Sequence, residues 1–240
     1  MVLIFMVLRN NGSYHHVIYS TSHWMCLKKL RKKALDIMSL LKKNGINSIV
    51  YGSVARGDIK KGSDVDVFIP RVIPSFIIES TLSELFPSFY KRELVQATPS
   101  YIVKAYIFVD EITSISFPLL KMRKEEIDFY KLAGQLSYEE LLQDKRVPGI
   151  RKDLIFINPV EDGHIEFSIK EFPEMGAKIL GMDVSSLRKR INVLLRRKLF
   201  GKTGVFKSII LSENESFESI LNKLINEVPA LRSRLRFRNR

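Results

Sequence analysis

The sequence predicts an α+β protein in which a mixed-sheet domain is followed by a smaller basic domain. Short apolar β segments alternate with amphipathic helical segments as far as residue 146. A stretch rich in proline, glycine and β-formers follows at 147–170, and no Asp or Glu occurs between Val184 and Ser212. A chain of 240 residues with 45% hydrophobic residues is long enough for two modest domains with real cores.

These signals divide the chain into four segments. Residues 1–24 form an N-terminal extension that is disordered or precedes the native start at Met25, residues 25–146 form the mixed-sheet domain, residues 147–170 form a connector with a small hairpin, and residues 171–240 form the basic domain. Whether translation starts at Met1 or Met25 stays open at this point.

The elements of the mixed-sheet domain follow from their periodicity. Cys26–Asn44 is amphipathic and stops at Gly45, which predicts a helix with a glycine C-terminus. The remaining expected elements are strands at 48–51 and 65–69, a helix at 75–85, a β-hairpin formed by 90–96 and 101–109, and a helix capped by Ser137 with Glu140 three residues later.

The motif that carries chemistry begins where the first strand breaks. Gly52-Ser53-Val54-Ala55-Arg56-Gly57 forms a small-residue turn, and Ser63-Asp64-Val65-Asp66-Val67 follows after a short basic loop. Two carboxylates at i and i+2 of one strand lie on the same face. This set of groups is suited to holding a triphosphate against a divalent ion. The backbone N–H groups, the hydroxyl and the guanidinium are donors for the phosphates, and the two carboxylates bind the ion.

This pattern resembles the nucleotidyltransferase superfamily that includes DNA polymerase beta, and within it the small prokaryotic members. The resemblance implies a mixed-sheet polymerase-beta-like domain with Asp64 and Asp66 on Mg²⁺ or Mn²⁺, and an NTP as substrate. It also implies that Gly52, Ser53, Gly57 and Ser63 contact the nucleotide and that Arg56 offsets charge in the transition state. The family contributes a third carboxylate from a later strand, for which we predict Glu93, with Asp110 as the alternative.

The sequence pattern of the C-terminal region predicts a second function, the binding of nucleic acid. A short helical pattern at 174–180, a turn at Gly181, a basic helix at 186–198 and two β segments at 199–211 follow the order of a winged helix-turn-helix. Its predicted nucleic-acid contacts are Arg188, Lys189, Arg190, Arg196, Arg197, Lys198 and Lys202. We also predict a final helix at 212–231 and a disordered, arginine-rich tail at 232–240. Along its whole length the chain resembles archaeal nucleotidyltransferases with an appended helix-turn-helix.

Charge and composition narrow the function classes. A formal charge of +13 favours a polyanionic partner, DNA or RNA, and the single Cys26 excludes an internal disulfide and fits a reducing cytoplasm. The apolar segment 1–8 is too short to span a membrane. Two functions follow: a metal-dependent nucleotidyltransferase of the EC 2.7.7 type with an unidentified acceptor, or a nucleic-acid-binding regulator whose transferase domain senses nucleotides or is inactive. The oligomeric state is open.

Overall fold

The computed structural model describes residues 14–199 and 205–236 and has the predicted α+β class with a mixed sheet. The chain divides into two units that are interleaved along the sequence. Among the described residues, unit 1 comprises 14–33, 50–63 and 127–199, and unit 2 comprises 34–49, 64–126 and 205–236. Each unit is built from three separate stretches, so the division does not follow the boundaries predicted at 25, 147 and 171.

The elements are numbered in chain order. The helices are α1 (Thr21–Lys43), α2 (Ser53–Arg56), α3 (Ser75–Ser83), α4 (Lys124–Ala133), α5 (Tyr138–Leu142), α6 (Pro173–Leu180), α7 (Val184–Leu199), α8 (Phe217–Glu227) and α9 (Pro229–Arg236). The strands are β1 (Tyr14–Ile18), β2 (Ile49–Tyr51), β3 (Val65–Phe68), β4 (Lys91–Gln96), β5 (Val103–Phe108), β6 (Thr113–Pro118), β7 (Gln135–Ser137), β8 (Gly149–Ile150), β9 (Ile155–Val160), β10 (Gly163–Ser168) and β11 (Lys207–Ile210).

The first helix confirms the predicted amphipathic pattern but begins earlier. Its apolar face is buried through Leu27, Leu30, Ala34, Ile37, Met38 and Leu41. Ser20 Oγ accepts a hydrogen bond from the backbone N–H of His23 at 3.2 Å, which caps the first turn of α1. Gly45 ends the segment in a left-handed conformation with φ 72°. The sequence pattern located the apolar face, whereas the serine cap set the start.

Unit 1 contains an antiparallel sheet with strand order β1-β10-β9-β8. The small hairpin predicted within 147–170 is present as β9 and β10. It forms the middle of this sheet rather than a connector, because both of its edges are paired. The core beneath it includes Phe156, Phe167, Ile169, Leu187 and Ile191, so α7 packs in the same cluster as the hairpin.

The described part of the N-terminal extension belongs to the fold, which corrects the segment predicted at 1–24. Tyr14 to Ile18 pair in register with Phe167 to Gly163. The buried Tyr19 hydroxyl lies 2.7 Å from His164 Nδ1, and His16 Nε2 lies 2.8 Å from Asp162 Oδ1. These contacts make residues 14–24 part of unit 1, while residues 1–13 lie outside the described residues.

Unit 2 contains strands in the order β11-β4-β5-β6-β3. The predicted hairpin is confirmed as the antiparallel pair β4 and β5. Strand β3 pairs with β6 in parallel, with Asp66 level with Ser114, and this pairing makes the sheet mixed. The buried face of the sheet carries Leu94, Ala105, Ile107, Ile115 and Phe117, each 0% exposed.

The predicted winged helix-turn-helix is wrong in the region that should form its wing. Strand β11 pairs with β4, with Ile210 opposite Glu93, and therefore completes the sheet of unit 2. Glu218 accepts hydrogen bonds at 2.7 Å from the backbone N–H and the hydroxyl of Ser75. Pairing with the edge of β4 satisfies backbone groups that a separate hairpin would leave unpaired. Helices α6 and α7 belong to unit 1.

The tail predicted as disordered at 232–240 is helical as far as Arg236. In α9 the Arg234 guanidinium is 7% exposed and lies 2.5 Å from the carboxylate of Glu126, which is 4% exposed. This buried ion pair anchors α9 to the rest of unit 2. The charge pattern alone predicts a disordered segment here. The last part of the tail, 237–240, lies outside the described residues. In the described part of the chain, no helix is both long and apolar enough to cross a bilayer.

Candidate active site

The Gly-Ser turn belongs to unit 1 and joins β2 to α2. Gly52 has φ 84° and ψ −146°, a conformation that is open essentially to glycine alone. Its N–H donates to Gly134 O at 2.9 Å. A Cβ at Gly52 would meet nothing within 4 Å, so the backbone angle rather than lack of space requires glycine here.

Two hydroxyls meet beside this turn. Ser53 Oγ donates to Ser63 Oγ at 3.5 Å, and Ser63 Oγ accepts from Lys60 N at 2.8 Å. Ser53 is the first residue of α2, so its side chain and the first backbone N–H groups of that helix lie together. The turn at 60–63 therefore holds Ser63, the residue before Asp64, next to Ser53.

Arg56 has a structural role, which corrects the prediction that it offsets charge in a transition state. Its Nε and Nη2 donate to the two carboxylate oxygens of Asp58 at 2.9 and 3.0 Å, and its Nη1 donates to Ala133 O at 2.6 Å. Arg56 and Asp58 are each 5% exposed. A guanidinium that is buried and bound in this way ties α2 to the end of α4.

Gly57 has a packing role, and its predicted nucleotide contact stays a prediction. Its φ is 104°, and a Cβ at this position would lie 2.8 Å from Arg146 Cδ. Gly57 O accepts a hydrogen bond from His23 Nε2 at 2.8 Å. The glycine allows Arg146 to pass close to the backbone on its way to Gly163 O, to which it donates at 2.7 Å.

The paired aspartates belong to unit 2. Asp66 is in β3 between the buried Val65 and Val67, so its side chain is on the opposite face of the sheet from theirs. Ser114 Oγ of β6 donates to Asp66 Oδ1 at 2.8 Å. Asp64 precedes β3 and is exposed. Sequence reasoning missed Ser114, because only the parallel pairing of β3 with β6 brings it to Asp66.

The structure does not bring Glu93 to the aspartates, which corrects its assignment as the third carboxylate. Two strands, β5 and β6, separate β4 from β3, a distance across the sheet of about 14 Å. Glu93 instead pairs with Lys91 at 2.7 Å and accepts a hydrogen bond from Ser208. Burial raises the pKa of Glu93, but these two hydrogen bonds offset it, so the net pKa lies below its ordinary value.

Asp110, the alternative, accepts a hydrogen bond from Ile112 N at 3.0 Å in the turn between β5 and β6. Among the described residues there is no group of three or more His, Cys, Asp or Glu placed to hold one ion. Mg²⁺ is commonly held by one or two carboxylates together with substrate phosphates. Asp64 and Asp66 supply that donor set, so the carboxylates present fit such an ion.

The predicted nucleic-acid contacts on α7 have several different surroundings. Lys189 and Arg196 are exposed. Arg188 forms an exposed ion pair with Glu174, and the Arg190 guanidinium lies 4.9 Å from the centre of the Phe129 ring. Lys202 lies outside the described residues, as do the side chains of Arg197 and Lys198. Part of this basic face is thus engaged in contacts within unit 1.

Comparisons with known proteins bear on the family. Residues 31–174, more than half of the chain, match a family model described as nucleotidyltransferase domain. A search among curated proteins gave no match. A solved complex of a CCA-adding enzyme with ATP is similar at 14% identity and a TM-score of 0.32, over 93% of this chain and 50% of that chain. This chain therefore spans half the length of that protein.

Proposed function

Because the chain belongs to the nucleotidyltransferase domain family, we propose that it transfers a nucleoside monophosphate from an NTP to a hydroxyl acceptor, a reaction of the EC 2.7.7 type. The observation that carries the proposal is the position of the motif within the family match: Gly52, Ser53, Asp64 and Asp66 all lie inside residues 31–174.

The Gly-Ser turn supplies the proposed phosphate contacts. The hydroxyls of Ser53 and Ser63 are within 3.5 Å of each other, and the glycine-only conformation of Gly52 leaves no side chain over the turn. Hydroxyls and backbone N–H groups at the start of a turn are donors suited to phosphate oxygens. We assign Gly52, Ser53 and Ser63 to the β- and γ-phosphates, keep Gly57 as a predicted contact, and withdraw Arg56 from the site.

Asp64 and Asp66 would hold Mg²⁺ or Mn²⁺, which when bound neutralises charge on the triphosphate. The acceptor oxygen attacks the α-phosphorus, the bond to the pyrophosphate oxygen breaks, and the hydroxyl proton leaves to a base or to water. Ser114 fixes Asp66 by donating to one carboxylate oxygen at 2.8 Å, so the carboxylate is oriented before substrate arrives. Holding the two reactants together accounts for much of the expected acceleration.

The test is release of pyrophosphate from each NTP, with Mg²⁺ or Mn²⁺ and with chelator. Asp66→Asn and Asp64→Asn should each lower the rate at least about a hundredfold, or ~2.8 kcal/mol at ~1.4 kcal/mol per tenfold. Glu111→Gln is the matched control, because Glu111 is an exposed carboxylate in the β5–β6 turn. If Asp66→Asn retains the wild-type rate, the assignment is wrong.

A second candidate function is a nucleic-acid-binding regulator whose transferase domain only senses nucleotides. It is favoured by the net charge of +13 and by the exposed Lys189 and Arg196 of α7. Each phosphate neutralised on duplex DNA adds about −0.9 to the slope of log affinity against log salt. Steeply salt-dependent duplex binding without pyrophosphate release would favour the regulator. Both activities in one protein would support nucleic-acid-guided transfer.

A further inference from the structure

One face of the sheet of unit 2 is only partly buried along β5. Along β5 the residues alternate: Val103, Ala105 and Ile107 are 0% exposed, whereas Lys104, Tyr106 and Phe108 are half-buried. Because strand side chains alternate between faces, the second set shares one face of the sheet. Along β5 this face carries two rings and an ammonium group, whereas the residues of β5 on the opposite face are apolar and fully buried.

The strand registers place Asp66 on this same face. Asp66 is level with Ser114, Ser114 with Phe108, and Phe108 with Lys91. With strands about 4.8 Å apart, Phe108 lies about 10 Å across the sheet from Asp66. A row of four side chains thus runs from the proposed metal-binding carboxylate to an aromatic ring and then to a lysine.

We call Lys91, Lys104, Tyr106 and Phe108 the aromatic–lysine surface. The two rings are stacked with their centroids 6.2 Å apart and their planes 19° apart. Lys91 Nζ lies 4.3 Å from the centre of the Phe108 ring, and Lys104 Nζ lies 5.3 Å from the centre of the Tyr106 ring. Each ring therefore has an ammonium group beside it.

We propose that this surface binds the 3′ end of a single-stranded nucleic acid, which serves as the acceptor of the transfer. The inference rests on the proposed function, since it names the acceptor for the same site. Aromatic rings provide stacking for bases of any sequence, and ammonium groups provide contacts for backbone phosphates. About 10 Å is the length of roughly three stacked bases at ~3.4 Å each, so a strand held here has its end near Asp66.

The charges on the surface favour this acceptor over others. Lysines beside the rings attract a polyanion and repel a cationic small molecule, and the net charge of +13 acts in the same direction at longer range. Glu93 opposes the binding of a polyanion, because its carboxylate lies 2.7 Å from the Lys91 ammonium group and competes with a phosphate for it. Removing the charge of Glu93 should therefore release Lys91 to the nucleic acid.

The test measures binding of a fluorescent single-stranded oligonucleotide to the full chain without NTP, by anisotropy over a range of salt. Replacing both rings, Tyr106→Leu with Phe108→Leu, should weaken binding about tenfold, ~1.4 kcal/mol. Lys91→Gln should reduce the log–log salt slope by about 0.7. Glu93→Gln should strengthen binding. Tyr90→Leu, at an exposed aromatic just before β4, is the matched control and should bind as wild type.

The outcomes separate the two proposals. The inference is overturned if the ring and Lys91 variants bind the oligonucleotide as wild type does, even where pyrophosphate release is intact. Thermal melting must show that these variants are folded. Ring-dependent binding in a protein without transferase activity supports the surface and contradicts the proposed function. Two results together would show that the acceptor assignment is wrong. In the first, oligonucleotides are not extended; in the second, the double variant Tyr106→Leu with Phe108→Leu still transfers the nucleotide to a protein or small-molecule hydroxyl as well as wild type.

Discussion

Arg56 and Asp58 form a bidentate ion pair in which both side chains are almost fully buried. The two hydrogen bonds measure 2.9 and 3.0 Å, and the remaining contact of Arg56 is to Ala133 O. The pair lies directly after the Gly-Ser turn. An arginine that the motif assigned to the nucleotide therefore stabilises the turn that we propose binds the nucleotide.

Breaking this pair should destabilise the protein rather than remove a single catalytic step. Asp58→Asn leaves the Arg56 charge buried and unpaired, which typically costs about 3–5 kcal/mol of unfolding free energy. Urea unfolding monitored by circular dichroism measures it. The control is Glu174→Gln, since the Arg188–Glu174 pair is more than half exposed on both sides and should contribute little to the free energy of unfolding. Similar losses for the two variants would contradict the structural role of Arg56.

The C-terminal helix should be required for the stability of unit 2. Arg234 Nη1 and Nη2 donate to Glu126 at 2.8 and 2.5 Å, and Glu126 also accepts from the N–H groups of Ile102 and Arg123. Arg234→Met leaves a buried carboxylate without its cation, which should cost about 3–5 kcal/mol. Denaturant unfolding checks this, with Lys207→Met as control because its pair with Glu227 is exposed. Wild-type stability of Arg234→Met would show that the buried pair contributes nothing.

The stability of unit 1 should fall as the pH drops below about 6.5, the ordinary pKa of histidine. Burial lowers the pKa of His164, although Glu166 and Asp58 favour its charged form. The unfolded chain then takes up a proton at a higher pH than the folded one, so stability is present above the ordinary pKa and is lost as the pH falls toward the folded value.

Melting temperatures measured between mildly acidic and neutral pH check this expectation. A carboxylate only accepts, so the 3.3 Å contact to Glu166 puts the proton on Nε2, and Nδ1 accepts from the Tyr19 hydroxyl at 2.7 Å. His164→Gln should flatten the pH dependence, whereas His15→Gln, at an exposed histidine of β1, should preserve it. An unchanged profile in His164→Gln would exclude His164 as its source.

Ser114 should act as a positioning residue for Asp66. Removing its hydroxyl in Ser114→Ala should raise the Mn²⁺ concentration for half-saturation about tenfold, a typical effect for a group that orients a metal ligand. Ser114→Thr keeps the hydroxyl and should restore affinity. Titration calorimetry with Mn²⁺ and a non-hydrolysable NTP measures the ion without turnover. Ser116→Ala is the control, because Ser116 donates to Val67 O at 3.5 Å instead.

Local patterns in the sequence predicted elements of both units and the motif itself. The alternating pattern predicted the β4–β5 hairpin, and the predicted capping box at Ser137 and Glu140 is present. Each depends on residues close together in the chain, so composition and spacing suffice. The C-terminal assignments failed because β11 finds its partner in β4, more than a hundred residues earlier.

The sequence by itself determined the Gly-Ser turn at Gly52, the spacing of Asp64 and Asp66, and the membership of the chain in a nucleotidyltransferase family, although only Asp66 lies within β3. Only the tertiary structure decided which polar residues are free to act. It buried Arg56 against Asp58, tied Glu93 to Lys91 and brought Ser114 to Asp66. The physical reason is that burial decides which nearby charges pair, as for Arg56 with Asp58, and that strand order brings together residues distant in sequence, as for Ser114 with Asp66.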